Sequence, residues 1–207
     1  LLKKGIAIER FLQNIIVNKA VKIPDLLIGD KNAIIIAARI NGYGAEYETS
    51  VVCPNCSSAG SFSFDLNACE LITHESYGFY DVTLTPNSTF IIHVDRLDVD
   101  VEVRLLTGRD ETELAQLAEK KRKNKLPESG LTDQLRKIIV SVSGNTHVDY
   151  IESFIQAMPA SDSRKLRLTY QRIVPNVDML QNFICSQCNF EGEVNVPFGT
   201  NFFWPKQ

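Results

Sequence analysis

The chain has 207 residues, 44% of them hydrophobic and 23% charged, with a net charge of −3 at pH 7. That is enough for one sizeable domain or a core with an inserted subdomain, and the composition is that of an ordinary folded soluble protein. The negative charge disfavours broad nonspecific nucleic-acid binding, which works by neutralising phosphates. No apolar run approaches the ~20 residues that span a bilayer. The stretch Leu1 to Arg10 carries charge within its apolar run and lacks a cleavage-site pattern, so no secretory leader is expected. An initiator Met is expected ahead of Leu1.

Taken in chain order, residues 6–20 place Ile8, Phe11, Leu12, Ile15 and Ile16 at helical spacing. Pro24 interrupts any continuation. A second helix, Lys31 to Ile40, with Asp30 as its cap, is apolar on most sides. It stops at Asn41-Gly42-Tyr43-Gly44, where glycine favours the left-handed backbone of a helix end. From Glu46 the period changes to that of strands. Tyr47, Thr49 and Val51 lead into Cys53, and residues 60–66 alternate apolar and polar. Residues 79–85 alternate again. Residues 89–94 and 99–106 read as a hairpin with Asp95, Asp98 and Asp100 around its turn.

At Thr107 the chain turns helical, with Asp110 completing a capping box and the helix running to about Lys121. The basic run Lys120 to Lys125 ends it, and Pro127 and Gly130 mark a loop. Thr132 is read as the cap of a helix carrying Leu135, Ile138, Ile139 and Val142. A helix over Val148 to Ala157 and another over Ser163 to Ile173, capped by Ser161 or Asp162, follow. Residues 177–184 and 191–196 return to strand character.

Two identical frames, Cys53-Pro-Asn-Cys56 and Cys185-Ser-Gln-Cys188, each leave one strand and return into another. Two such pairs can close a tetrahedral shell of four thiolates around one zinc ion. A closed shell leaves no open coordination position, so the ion supports folding and not hydrolysis. The competing readings are separate redox pairs and thiols without metal. A redox motif would sit after a strand and open a helix, which neither pair does. The fifth cysteine, Cys69, reads as a plain buried thiol. An odd count argues against a secreted disulfide framework and for a reducing cytoplasm.

His74, His93 and His147 are scattered and read as structural or exposed rather than as ligands or bases. The acidic residues around Asp98 lack a calcium-loop pattern and read as a solvated hairpin edge. The basic run at 120–125 reads first as a solvated helix end that suits the helix dipole, and second as a contact for nucleic acid or an acidic partner. Phe202, Phe203 and Trp204 read either as packing against the β body or as an anchor for a partner.

The fold expected is α+β: a split zinc-ribbon-like β body with N-terminal helices and a helical insertion. The divisions are an N-terminal helical segment (1–45), the first knuckle and β hairpins (46–107), the helical insertion (108–175), and the second knuckle with an aromatic tail (176–207).

Four stretches, in order, carry a family resemblance: Leu27-Ile28-Gly29-Asp30 through Gly42-Tyr43-Gly44 with Tyr47 before Cys-Pro-x-Cys; Arg104 through Glu111; Met158 through Arg164; and Asn201-Phe202-Phe203-Trp204-Pro205. The chain resembles the hub-assembly chaperone family of T-even-type tailed bacteriophages. That resemblance implies a non-enzymatic role in building the central hub of the tail baseplate, as chaperone or hub component. It implies a late protein whose partners are hub and tail-tube-initiating proteins. It places the chain in the cytoplasm of the infected bacterium, with the virion tail baseplate as a second location. The family's cysteine pairs correspond to Cys53, Cys56, Cys185 and Cys188, and no catalytic residue is carried over. The rival reading is a zinc-ribbon nucleic-acid-binding regulator. Against it, residues 53–66 and 185–198 contain no lysine or arginine.

Overall fold

The computed structural model describes residues 6–73, 82–127, 129–197 and 202. Its elements are α1 (Ile6–Ile15), α2 (Ile28–Tyr43), β1 (Glu46–Val52), β2 (Ala59–Asp65), β3 (Leu71–Ile72), β4 (Val82–Leu84), β5 (Phe90–Val94) and β6 (Val99–Val103). They continue through α3 (Gly108–Lys123), α4 (Gly130–Ile138), β7 (Ile139–Val142), α5 (Val148–Ala157), α6 (Ala160–Ile173), β8 (Asn176–Val177), β9 (Leu180–Ile184) and β10 (Glu191–Asn195). The fold is α+β. The chain divides into two compact units, one from Leu1–Ile28 and Thr73–Pro175, the other from Gly29–Ile72 and Asn176–Gln207.

The first unit is built on an antiparallel sheet in the order β4-β5-β6-β7. Alternation sends Phe90, Ile92, Val94, Val101, Val103 and Val142 into one core. Leu135 and Ile138 of α4, Ile155 of α5, and Leu166, Tyr170 and Ile173 of α6 fill the same core. The hairpin read around Asp98 therefore shares its core with the helices that follow it. Burying such side chains stabilises by about 1.5–3 kcal/mol each.

Three local features fix this unit. Thr107 and Asp110 form the capping box expected at the start of α3, with Thr107 N–H donating to Asp110 Oδ2 at 3.0 Å. Arg104 clamps the same carboxylate with two hydrogen bonds, 2.7 and 2.8 Å long. This guanidinium holds the Asp110 carboxyl well below the usual carboxylate range. The Tyr170 hydroxyl accepts from the backbone N–H of Leu106 at 3.1 Å, and burial pushes its pKa up to about 12.

Several element boundaries differ from the sequence reading. Residues 139–142 form strand β7, not the end of a helix, because β6 offers them a ladder in the register Val101↔Val142 and Val103↔Ile139. β-branched side chains suit that pleated surface. Thr132 is not the cap of α4. The helix begins one turn earlier, at Gly130 after Ser129. Neither Ser161 nor Asp162 caps α6, which starts at Ala160 after Pro159. The buried Asp162 carboxylate instead accepts from the backbone N–H groups of Arg96 and Leu97, at 3.2 and 3.0 Å, holding the β5–β6 turn. α2 starts before Asp30, so Asp30 lies in its first turn rather than at its cap. α1 ends at Ile15, short of the residue 20 that the periodicity suggested.

The second unit contains α2 and two β hairpins, β1–β2 and β9–β10, plus the short antiparallel pair β3–β8. α2 closes as expected: Gly44 takes φ +87° and its N–H donates to Ile40 O at 2.9 Å. Alternation along β1 buries Tyr47, Thr49 and Val51 and leaves Glu46, Glu48 and Ser50 outside. Phe64 of β2, Phe183 of β9 and Val194 of β10 are buried too. The hairpins meet edge-to-face at Phe62 and Phe183, ring centroids 4.5 Å apart, and Gln181 Nε2 donates to Asp65 O at 2.9 Å. Phe202 is fully buried with its ring 5.1 Å from Tyr47, while the Tyr47 hydroxyl donates to Pro197 O at 3.0 Å. Phe202 is therefore packing, not an exposed anchor. Phe203 and Trp204 lie outside the described residues.

Candidate metal centre

Each Cys-x-x-Cys frame is the turn of one hairpin in the second unit. In the first, Cys53 N–H donates to Ser58 O and Ser57 N–H to Cys53 O, both at 2.9 Å. In the second, Cys185 N–H donates to Phe190 O and Asn189 N–H to Cys185 O, again both at 2.9 Å. Ser57 and Asn189 occupy the same left-handed position, with φ of 58° and 55°. The two frames are one structural motif used twice. In each, the tight turn points both sulfurs to one side.

The hairpins bring all four sulfurs within 4.8 Å of one another. Two separations between the knuckles are Cys53 to Cys188 at 3.8 Å and Cys56 to Cys185 at 3.7 Å. A tetrahedron with metal–sulfur bonds of ~2.3 Å has edges of about 3.8 Å. These separations match the edges of such a shell and far exceed the ~2.05 Å of a disulfide. All five cysteines are free thiols. The first cysteine of each pair is buried and the second is more open.

Backbone N–H groups of Gln187 and Cys188 pull the Cys185 thiol down to about 6. The Ser58 hydroxyl, then its N–H, lowers Cys56. Cys53 moves the other way, up to about 11, because burial outweighs the N–H groups of Cys56 and Asn55. Four adjacent thiols cannot all ionise without a cation to offset their repulsion. The cluster can hold one metal ion with a complete four-sulfur set and no vacant position for substrate or water.

Other candidate residues lie elsewhere. His93 is half-exposed on the open face of the first unit's sheet, with Nδ1 2.9 Å from Asp100 and Nε2 3.5 Å from Asp98. His147 is the exposed residue preceding α5. His74 lies outside the described residues. Among the described residues, the four cysteines are the single cluster that can hold a metal ion. Cys69 is half-buried rather than fully buried. Its thiol faces Met179 Sδ at 3.5 Å, and burial pushes its pKa up.

Within the basic run, Lys121 pairs with Asp133 at 2.6 Å and Lys123 with Glu119 at 2.8 Å, so part of it serves the α3–α4 packing. The sequence reading missed Arg39. Its guanidinium is buried beneath the tyrosines of the α2–β1 turn and donates to Gly44 O at 2.6 Å and Glu46 O at 3.0 Å. No sequence signal separates such an arginine from an ordinary surface one on a helix.

Fold and site define an α+β protein whose two-hairpin unit carries a four-cysteine cluster of zinc-ribbon-like arrangement. The family model described as T4 bacteriophage base plate protein matches residues 4–204, and the chain belongs to that family. No curated protein and no solved structure matches it. Membership bears out the resemblance read from the ordered motifs and fits a virion tail location. Among the described residues, no helix is long and apolar enough to cross a membrane.

Proposed function

We propose that this baseplate protein acts in assembly of the central hub, as its chaperone or as a hub component, through protein–protein binding and without catalysing a reaction. The match to the baseplate family over residues 4–204 carries the reading. The cysteine cluster supports it, because a closed sulfur shell serves folding rather than chemistry. In this reading one zinc ion is held by Cys53, Cys56, Cys185 and Cys188. It fixes two hairpins that are distant in sequence into one rigid body. Rigid surfaces bind with less ordering cost, which suits a protein that templates assembly.

The partners proposed are hub and tail-tube-initiating proteins, met in the cytoplasm of the infected host late in infection. The test is affinity capture of the tagged protein from infected cells, alongside infection by phage lacking its gene. The reading expects hub proteins in the captured material and baseplates arrested before a complete hub. Normal hubs in the deletion, with no hub protein captured, contradict it. Comparing assembly intermediates with mature particles by mass spectrometry separates chaperone from permanent component. A nucleic-acid-binding role gains no support from the ribbon. Residues 46–72 and 176–197 carry no lysine or arginine but do carry Glu46, Glu48, Glu191 and Glu193.

A further inference from the structure

A divalent ion bound by four thiolates carries a net charge of −2. Metal sites of this kind are steadied by groups outside the ligand set that donate to the sulfurs. The hairpin-bearing stretches, residues 46–72 and 176–197, contain neither lysine nor arginine, so within them the charge is met by dipoles.

Backbone N–H groups serve both knuckles. The side-chain donors, however, come from the first. Asn55 sits between the ligands of the first pair, yet its Nδ2 donates across to Cys188 Sγ of the second at 3.6 Å. The Ser58 hydroxyl lies 2.9 Å from Cys56 Sγ and 3.7 Å from Cys185 Sγ, between the sulfurs of the two knuckles. The matching position in the second knuckle is Phe190, two residues after Cys188, and it has no such donor.

The geometry points to Asn55 and Ser58 as the positioning residues that set metal affinity: the Asn55 amide donates from the first knuckle to Cys188 of the second, and the Ser58 hydroxyl serves Cys56 of its own knuckle with Cys185 of the second next to it. The inference rests on the metal reading of the cysteine cluster. It adds that the two knuckles are unequal: the side-chain donors come from the first, and that of Asn55 crosses to the second. The amide and hydroxyl stabilise the thiolate form of the sulfurs, which no lysine or arginine of the hairpin stretches neutralises. An isosteric acid at position 55 opposes the dianion directly.

The test uses the full-length protein stripped of metal and titrated with cobalt(II) and with zinc against a chromophoric chelator. Asn55→Ala and Ser58→Ala are each expected to weaken binding about tenfold, and Asn55→Asp about a hundredfold. Ser58→Thr, which keeps the hydroxyl, is expected to stay within about threefold of the parent. The sulfur-to-cobalt charge-transfer band is expected to shift in the two alanine variants and not in Ser58→Thr, a readout that loss of packing alone does not move. Circular dichroism of the loaded proteins checks folding, which exposed Asn55 and half-buried Ser58 should not disturb. Alanine variants that bind cobalt within twofold of the parent, with an unmoved band, overturn the proposal while leaving the metal site standing. A parent that binds no cobalt removes the metal reading itself.

Discussion

Replacing Cys185 by Ser tests how much of the protein depends on the shared ion. Cys56 and Cys185 are 129 positions apart, so a metal held by both ties a very long loop. In the chain-entropy treatment of cross-links, closing a loop of that length removes roughly 5 kcal/mol of unfolded-state entropy. Structural zinc itself contributes roughly 10–16 kcal/mol of apparent binding free energy in small peptides at pH 7. A whole domain is stable by only about 5–15 kcal/mol. Losing one ligand removes at least the loop-closure share, about 5 kcal/mol, a large fraction of the whole. The contacts that remain between β9–β10 and β1–β2 include the Phe62–Phe183 contact, the Gln181 bond to Asp65 O and the Tyr47 bond to Pro197 O. With Tm changing about 2–4 °C per kcal/mol in a chain of this size, Cys185→Ser should lower the melting temperature by about 10–20 °C. Differential scanning calorimetry is the assay, run with added zinc and again with excess chelator. The parent in chelator should approach the variant in zinc, and the variant should be indifferent to both. A variant that melts within 2 °C of the parent, or a parent insensitive to chelator, refutes the reasoning.

Other substitutions probe the surrounding structure. Ser57→Gly should raise stability by about 0.5–1 kcal/mol, because Ser57 sits at φ 58°, which glycine adopts without strain; a lower melting temperature counts against the knuckle geometry. Asp110→Asn should cost about 2 kcal/mol in denaturant titration, since it weakens the Arg104 clamp and the capping box together. The Asp110 carboxyl is held below its unfolded value of about 3.9, so its contribution is full above that pH and is lost as pH falls toward the folded value. The parent should thus lose more stability between about pH 5 and pH 3 than Asp110→Asn does, and parallel pH profiles contradict this. Phe202→Ala should cost about 3–5 kcal/mol by emptying the space beside Tyr47; a cost under 1 kcal/mol would mean the tail does not pack there.

The knuckles were legible in the sequence because their chemistry is local: two cysteines at fixed spacing, a strand before and a strand after. The Thr107–Asp110 capping box and helix α5 were legible for the same reason. Residues 132–142 misled because Leu135, Ile138, Ile139 and Val142 fall at helical spacing. Only the nearby edge of β6 makes residues 139–142 a strand, and that edge is a tertiary fact. The β5–β6 hairpin looked like part of the ribbon body, yet its inward residues pack with α4, α5 and α6. Alternation says which side chains face inward, not which element meets them. The donors Asn55 and Ser58 were invisible for a related reason. Which sulfur a side chain reaches depends on how two distant hairpins face each other. Phe202 was open to two readings until Tyr47 was seen against its ring.

The most direct measurement is metal analysis of the purified full-length protein, combined with X-ray absorption at the zinc edge. The account predicts one zinc per chain with four sulfur neighbours at about 2.3 Å. A metal-free chain with thermal stability unchanged by added zinc, or a zinc shell containing nitrogen or oxygen ligands, would contradict it.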